Sequence, residues 1–364
     1  MKVLFYLGHP AHYHLFKNVI NNLTKDGHKI FILIKKKDIL EDLLKHAGLK
    51  YQNILPKGRK DTRAAIAYGL AIRDLRLLRF SIKNCPNIMI GTSTEICHVG
   101  SLIGIPSINV NEDDFDVVPL YSKLTYPWAS SILTPIVCKT GKWEYKSIKY
   151  EGYHELAYLH PNHFTPDKKI VEKYFNCDEP FFVLRFAKLT AHHDEGIKGI
   201  NSRLAVKIVE ALTPFGKVYI TSERILEPQL ERYRIAINPL DIHHVLSFAK
   251  LFIGDSQTMA AESGVLGTPF IRFNDFVGRI GYLDELENKY KLGVGISTSE
   301  PEKIFTAIDS FLNNNNLFEE WQEKRRKMLS DKIDVAKFIT WFIENYPKSK
   351  ETMKKNPDQQ YIFR

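Results

Sequence analysis

Cysteine is scarce, four residues in 364, and Cys85, Cys97, Cys138 and Cys177 form no C-x-x-C pair and join no His/Cys cluster. That pattern implies neither a disulfide framework nor a zinc site. No apolar run approaches the roughly 20 residues that a spanning helix needs. The opening MKVLFYLGHPAHYH offers one Lys and five apolar residues before Gly8-His9. That is a first strand rather than a secretory leader, and the expected location is the cytoplasm. No RRM, zinc-finger or helix-turn-helix signature is present, so nucleic acid is not an expected partner.

What is present describes a folded chain of two domains: 364 residues, 44% hydrophobic and 26% charged. The net charge of +9, from 51 basic and 42 acidic side chains, suits either anionic partners, such as nucleotide sugars or phospholipid surfaces, or plain solubility.

The stretch around which the chain is organised is Leu251 to Phe273, LFIGDSQTMAAESGVLGTPFIRF. An apolar run breaks at Gly254-Asp255-Ser256, a small-residue segment follows to Leu266, Gly267-Thr268-Pro269 ends it, and Phe270-Ile271 begins another apolar run. The pattern predicts strand, tight turn, helix, turn, strand. Asp255 or Ser256 caps the helix, which puts Gln257, Thr258 and Met259 in its first turn, where free N–H groups point outward. Such a start at the carboxyl end of a parallel strand suits a diphosphate, with Glu262 within reach of a ribose. Acidic caps also occur on strand–helix units without any ligand.

The same unit recurs earlier. Asn87 to Ile90 reads as a strand, Gly91-Thr92-Ser93-Thr94-Glu95 as its turn into a helix, and Gly104-Ile105-Pro106 leads into the strand Ser107 to Val110. Strand and helix also alternate over the first ninety residues, which predicts an α/β fold of two doubly wound, Rossmann-like domains. The acidic cluster Asn111-Glu112-Asp113-Asp114 follows a strand end, where open sheets place their sites. Along Thr62 to Lys83, basic and apolar residues interleave, which fits either a membrane-surface face or an ordinary amphipathic helix. LTYPWASSILTP predicts a helix end and the last strand of the first domain, and the Tyr-, His- and Pro-rich Gly141 to Asp167 an interdomain connection. The expected domains are 1–165 and 166–345, with a polar, frayed tail over 346–364.

D-S-(five)-E-(four)-G-x-P resembles the nucleotide-binding segment of UDP-N-acetylglucosamine 2-epimerases, and related segments occur in GT-B glycosyltransferases. GHPAHYHLFK, GTSTEICHVGSLIGIPSINVNED, LTYPWASSILTP, RFAKLTAHHDEGIKGI and GDSQTMAAESGVLGTPFI together resemble the DUF354 family, grouped with GT-B proteins. The resemblance covers about residues 1 to 345. It implies a GT-B fold with an interdomain cleft, Ser256 at the nucleotide phosphates and Glu262 on the ribose. Two departures weigh against 2-epimerisation: Thr92 and Asn111 stand where the epimerase pattern has acids.

The expected function is therefore a metal-independent, UDP-sugar-dependent glycosyltransferase acting in surface polysaccharide or glycolipid assembly, with no cofactor beyond its nucleotide-sugar substrate. The alternatives are a UDP-sugar epimerase or hydrolase, or a non-catalytic nucleotide-sugar binder. Arg185 and Lys188 would neutralise the departing diphosphate, and the base would sit near Ser222-Glu223 or Pro239-Leu240. The acceptor, a carbohydrate or lipid-linked sugar with peripheral membrane contact in view, would meet a general base among His12, His14, Glu112 and Asp113. Adjacent His192 and His193 suit sugar or phosphate contact rather than a metal.

Overall fold

Alternation along the first strand sets the layers of the first half. In β1 (Lys2–Leu7), Leu4 and Tyr6 join a buried cluster with Leu77, Ile96 and Cys97, while Phe5 turns the other way, its ring 5.4 Å from that of Phe16. One sheet therefore carries helices on both faces, as the near-continuous apolar runs of parallel strands require. Truncating a fully buried side chain such as Phe5 would cost roughly 3–5 kcal/mol.

The computed structural model describes residues 1–37, 39–55, 63–187 and 199–364. The chain divides into two units, Met1–Tyr158 with Lys332–Arg364, and Leu159–Asp331.

In the first unit, β2 (Lys29–Lys35), β3 (Gln52–Leu55), β4 (Ile88–Gly91), β5 (Ser107–Val110), β6 (Ser131–Pro135) and β7 (Ser147–Tyr150) join β1 in one parallel sheet of order β3-β2-β1-β4-β5-β6-β7. The order reverses between β1 and β4, and that switch point is where open α/β sheets bind ligands. Helices Pro10–Lys25 and Leu40–His46 lie on one face with Val335–Glu344; Arg63–Asn84, Thr94–Ile103 and Pro119–Thr125 cover the other.

In the second unit, β8 (Phe181–Phe186), β9 (Lys217–Ser222), β10 (Leu251–Gly254), β11 (Phe270–Phe273) and β12 (Gly293–Ile296) form a parallel sheet of order β12-β11-β10-β8-β9, whose switch point falls between β8 and β10. The helix Gln257–Leu266 is buried from Met259 to Leu266, which its small side chains permit. The two strand–turn–helix repeats match in detail. A Cβ on Gly91 would lie 2.6 Å from Tyr6 O, and one on Gly254 2.8 Å from Arg185 O, so neighbouring strands close up only because both positions are glycine.

The units part differently from the expected 165/166 and 345/346 boundaries. From Lys332 the chain returns to the first unit: Ile333 N–H donates to Glu151 O (2.9 Å), and Phe338, Ile339, Phe342 and Ile343 are buried. Nor is 346–364 frayed. A helix (Lys348–Lys355) and a 3-10 turn (Pro357–Phe363) bury Met353 and Gln360, and Gln360 Oε1 accepts the Glu151 N–H at 2.6 Å. The expected last strand of the first domain, β6, is followed by β7, inside the segment read as a connection.

Candidate functional site

Ser256 caps the helix after β10, its hydroxyl accepting the Met259 N–H (3.4 Å). Among the described residues nothing accepts from the N–H groups of Gln257 and Thr258, both half-buried at that start. Asp255 does not cap. Buried, it takes the N–H groups of Ala187 (2.7 Å) and Ile200 (3.2 Å), fixing the end of β8 and the approach to helix Ser202–Leu212 against β10. Burial pushes its carboxyl up to about 6, against the pull of those donors and of Arg224. Beneath it, Asn274 Nδ2 donates to Asp255 O (3.1 Å), and Arg272 holds Glu287 through Nε and Nη2 (2.7 and 3.1 Å). This buried polar frame makes the helix start rigid.

Around it, Arg185 at the end of β8 pairs with Glu223, and its Nε has no partner among the described residues. Ser222 is spent on a local turn, donating to Arg224 O (2.8 Å) and accepting from Arg224 N–H (3.1 Å). Glu262, a turn and a half into the helix, is buried and accepts from His243 Nε2 (2.9 Å). Lys188, His192 and His193 lie outside the described residues.

At the first unit's switch point, His9 caps helix Pro10–Lys25 by accepting the Ala11 N–H (3.2 Å), and His12 follows one turn in. Gly8 N–H donates to His12 Nδ1 (3.0 Å), so the neutral ring carries its proton on Nε2, 2.5 Å from Thr92 Oγ1 beyond β4. Desolvation, with His9 and Lys35 close by, holds His12 well below its ordinary value, and Thr92 brings no charge to reverse this.

After β5, Glu112 is engaged by His154, which lies four residues beyond β7. His154 N–H donates to Oε2 (2.9 Å), and Nδ1 lies 3.2 Å from Oε1. Burial drives the two groups in opposite directions, Glu112 well up and His154 down to about 4, and Asp113 pushes Glu112 further up. The two groups face each other along Oε1–Nδ1, while His154 Nε2 is buried without a partner among the described residues. An imidazole oriented by a carboxyl, with its far nitrogen free, is an acid–base device. His154 also bears on the charge of His12.

Of the candidate acid–base residues, the structure groups His12, Glu112 and Asp113 near His154, while His14 is buried between the rings of Tyr13 (5.2 Å) and Tyr158 (5.3 Å). His154, Lys35 and the bond from Thr92 to His12 were missed. Only the His-rich YEGYHELAYLH could have pointed to His154. Asn111 is buried and structural, donating to Tyr126 OH (2.9 Å) and Asp113 O (2.9 Å). No three His, Cys, Asp or Glu among the described residues could hold a metal ion.

A family model described as "protein of unknown function (DUF354)" matches residues 1–284. No curated protein matches the sequence significantly. Solved structures share the fold over nearly the whole chain. S. aureus MnaA with UDP superposes with a TM-score of 0.69 at 12% identity, covering 96% of this chain and 97% of that one. UDP-GlcNAc 2-epimerase from Neisseria meningitidis, bound to UDP-GlcNAc, gives 0.65 at 14%, covering 94% and 99%. The spinosyn rhamnosyltransferase SpnG with spinosyn aglycone gives 0.63 at 16%, covering 95% and 100%. The fold is thus that of GT-B glycosyltransferases and UDP-GlcNAc 2-epimerases.

Proposed function

The chain belongs to the DUF354 family, and on that footing we propose that it is a glycosyltransferase using a nucleotide sugar, with UDP-sugars as the favoured donors. The donor diphosphate sits on the N–H groups of Gln257 and Thr258 beside Ser256, with Glu262 toward the ribose and Arg185 answering the leaving charge. The transfer step starts with Glu112 ionised and the single imidazole proton of His154 on Nδ1, so that Nε2 takes the acceptor hydroxyl proton. The oxygen bonds to the anomeric carbon as the bond to the diphosphate breaks, and the nucleoside diphosphate leaves with the electron pair. Glu112, ionised in that step, holds the imidazolium. His12, with both nitrogens engaged, orients rather than deprotonates. The acceptor is a carbohydrate or a lipid-linked sugar of surface polysaccharide or glycolipid assembly.

One observation carries transfer over epimerisation: where epimerases have acids, this chain places a hydroxyl against a neutral histidine (Thr92) and an amide bonded to Tyr126 (Asn111). Neither group exchanges a proton with carbon near neutral pH. The second reading, a UDP-sugar epimerase or hydrolase, draws on Glu112, whose raised pKa leaves a carboxyl able to give up a proton. The test is a thermal-shift screen of nucleotide sugars followed by incubation of the best binder in heavy water. Stabilisation with the sugar recovered undeuterated and intact in the absence of acceptor supports transfer. Free UDP or deuterium at C2 moves the assignment to the second reading, and no response to any nucleotide sugar ends both. Binding without turnover under any acceptor would leave a nucleotide-sugar sensor.

A further inference from the structure

Three helices cover one face of the first unit's sheet, Arg63–Asn84, Thr94–Ile103 and Pro119–Thr125, and His98 fastens them together. Its Nδ1 bonds Asp74 on the first helix (3.0 Å), its Nε2–H donates to Leu124 O on the third (2.9 Å), and its ring lies 6.1 Å from Trp128. The outer surface of this layer is apolar where a solvated face would be polar. Tyr68, Leu75 and Ile82 recur every seventh residue along the longest helix, and Leu102, Leu120 and Trp128 extend the surface, with exposures from 51% (Trp128) to 71% (Leu102). Among the described residues of these helices, the most exposed charges are all cationic: Arg76, Arg79, Lys83 and Lys123. Of the acids among their described residues, Glu95 is buried on Arg73, and Asp74, with its side chain 26% exposed, is paired with His98. The helix Leu317–Asp331 of the second unit is built the other way, its exposed face mixing Glu319, Glu323, Arg326 and Lys327.

We propose that this three-helix face binds the surface of an anionic lipid bilayer, lying in the interface without crossing it. The charge decides the occupant. A face of apolar side chains interleaved with cations, its acids paired with His98 and Arg73, complements a sheet of phosphate headgroups above hydrocarbon, and Tyr68 and Trp128 are the amphipathic rings that settle at that boundary. No helix among the described residues is long and apolar enough to cross a membrane. The proposal does not rest on sugar transfer, and a failed nucleotide-sugar screen leaves it standing.

The full chain is sedimented with vesicles of phosphatidylcholine and phosphatidylglycerol in equal parts, and with phosphatidylcholine alone. Binding to the anionic vesicles, lost at high salt and weak on the neutral ones, is expected. Leu75→Gln with Trp128→Gln, and separately Arg79→Glu with Lys83→Glu, should each weaken partitioning at least about tenfold. Both pairs alter only exposed positions, so circular dichroism and melting should match the parent; if one pair misfolds, the other decides. Absence of binding to anionic vesicles, equal binding to both kinds, or full binding by both folded variants would overturn the proposal. So would a dimer of the parent that Leu75→Gln with Trp128→Gln converts to monomer, because a second copy would then be the occupant.

Discussion

At the switch point of the seven-stranded sheet a neutral histidine meets a hydroxyl, with a carboxyl–imidazole pair beside it; at that of the five-stranded sheet a capped helix start sits over a buried frame of Asp255, Asn274 and Arg272. The strand–turn–helix units behind the two places are near copies, down to the glycine that lets each strand press on its neighbour's carbonyl. Scaffold and chemistry are therefore set by different residues. The repeat fixes the scaffold, and on the proposed reading what lies after the glycine and at the next strand ends serves proton transfer in one unit and anion binding in the other.

Four experiments press on that division. The largest effect is expected at the acid–base pair. His154→Ala or Glu112→Gln should lower turnover by about 10²–10⁴-fold while leaving nucleotide-sugar affinity, read by calorimetry, within a few-fold of the parent. Equal losses in affinity would put donor binding in both units. Second comes Asp255. Its folded-state carboxyl, raised to about 6, holds its proton to higher pH than in the unfolded chain. The favourable contribution is full below about pH 4 and is lost as pH rises through about 6, a swing on the order of 3 kcal/mol. Urea melts across that window should show the decline, and Asp255→Asn should flatten it.

Third, Gln257→Pro removes one donor at a position where proline suits a helix, after a residue already extended (Ser256 φ −80°, ψ 122°). Donor binding should weaken by about 10- to 100-fold with the unliganded melting point nearly unchanged. Unaltered affinity would place the diphosphate elsewhere. The smallest expected effects are a matched pair: Gly91→Ala and Gly254→Ala should each cost about 1–3 kcal/mol by denaturant titration. Markedly unequal costs would show that the two copies differ below the level of their shared pattern.

The repeat was legible because β4 and β10 open as short apolar runs, IMI and LFI, that break at a glycine turn, while β5 (SINV) and β11 (FIRF), though buried, are marked mainly by the G-x-P turn before each. The strands that were missed, β3, β7 and β12, are four-residue edge strands, QNIL, SIKY and GVGI, whose half-open faces leave no such run. The site divided along the same line. Ser256 is readable as a cap because a cap acts on its own helix. His154 is not, because its partner lies 42 residues away and its own segment has no period. Thr92 and His12 are 80 apart, and their contact exists only once β1 and β4 are neighbours. Arg272 was hidden inside an apolar run, since a charge wholly shielded by Glu287 leaves the hydropathy of its neighbours untouched. The tail was misjudged for a related reason: its polarity is surface polarity, while a few residues, Ser349, Met353 and Gln360, carry its burial.

The return of Lys332–Arg364 to the first unit makes the second an insertion within it. A ribosome delivers residues 159–331 whole before the first unit's last helices exist, so the inserted unit can reach its native state while its host is still missing Phe338, Phe342 and the Gln360 bond to Glu151. The host's histidines and Glu112 would then be set in their final surroundings only after the inserted unit is already complete.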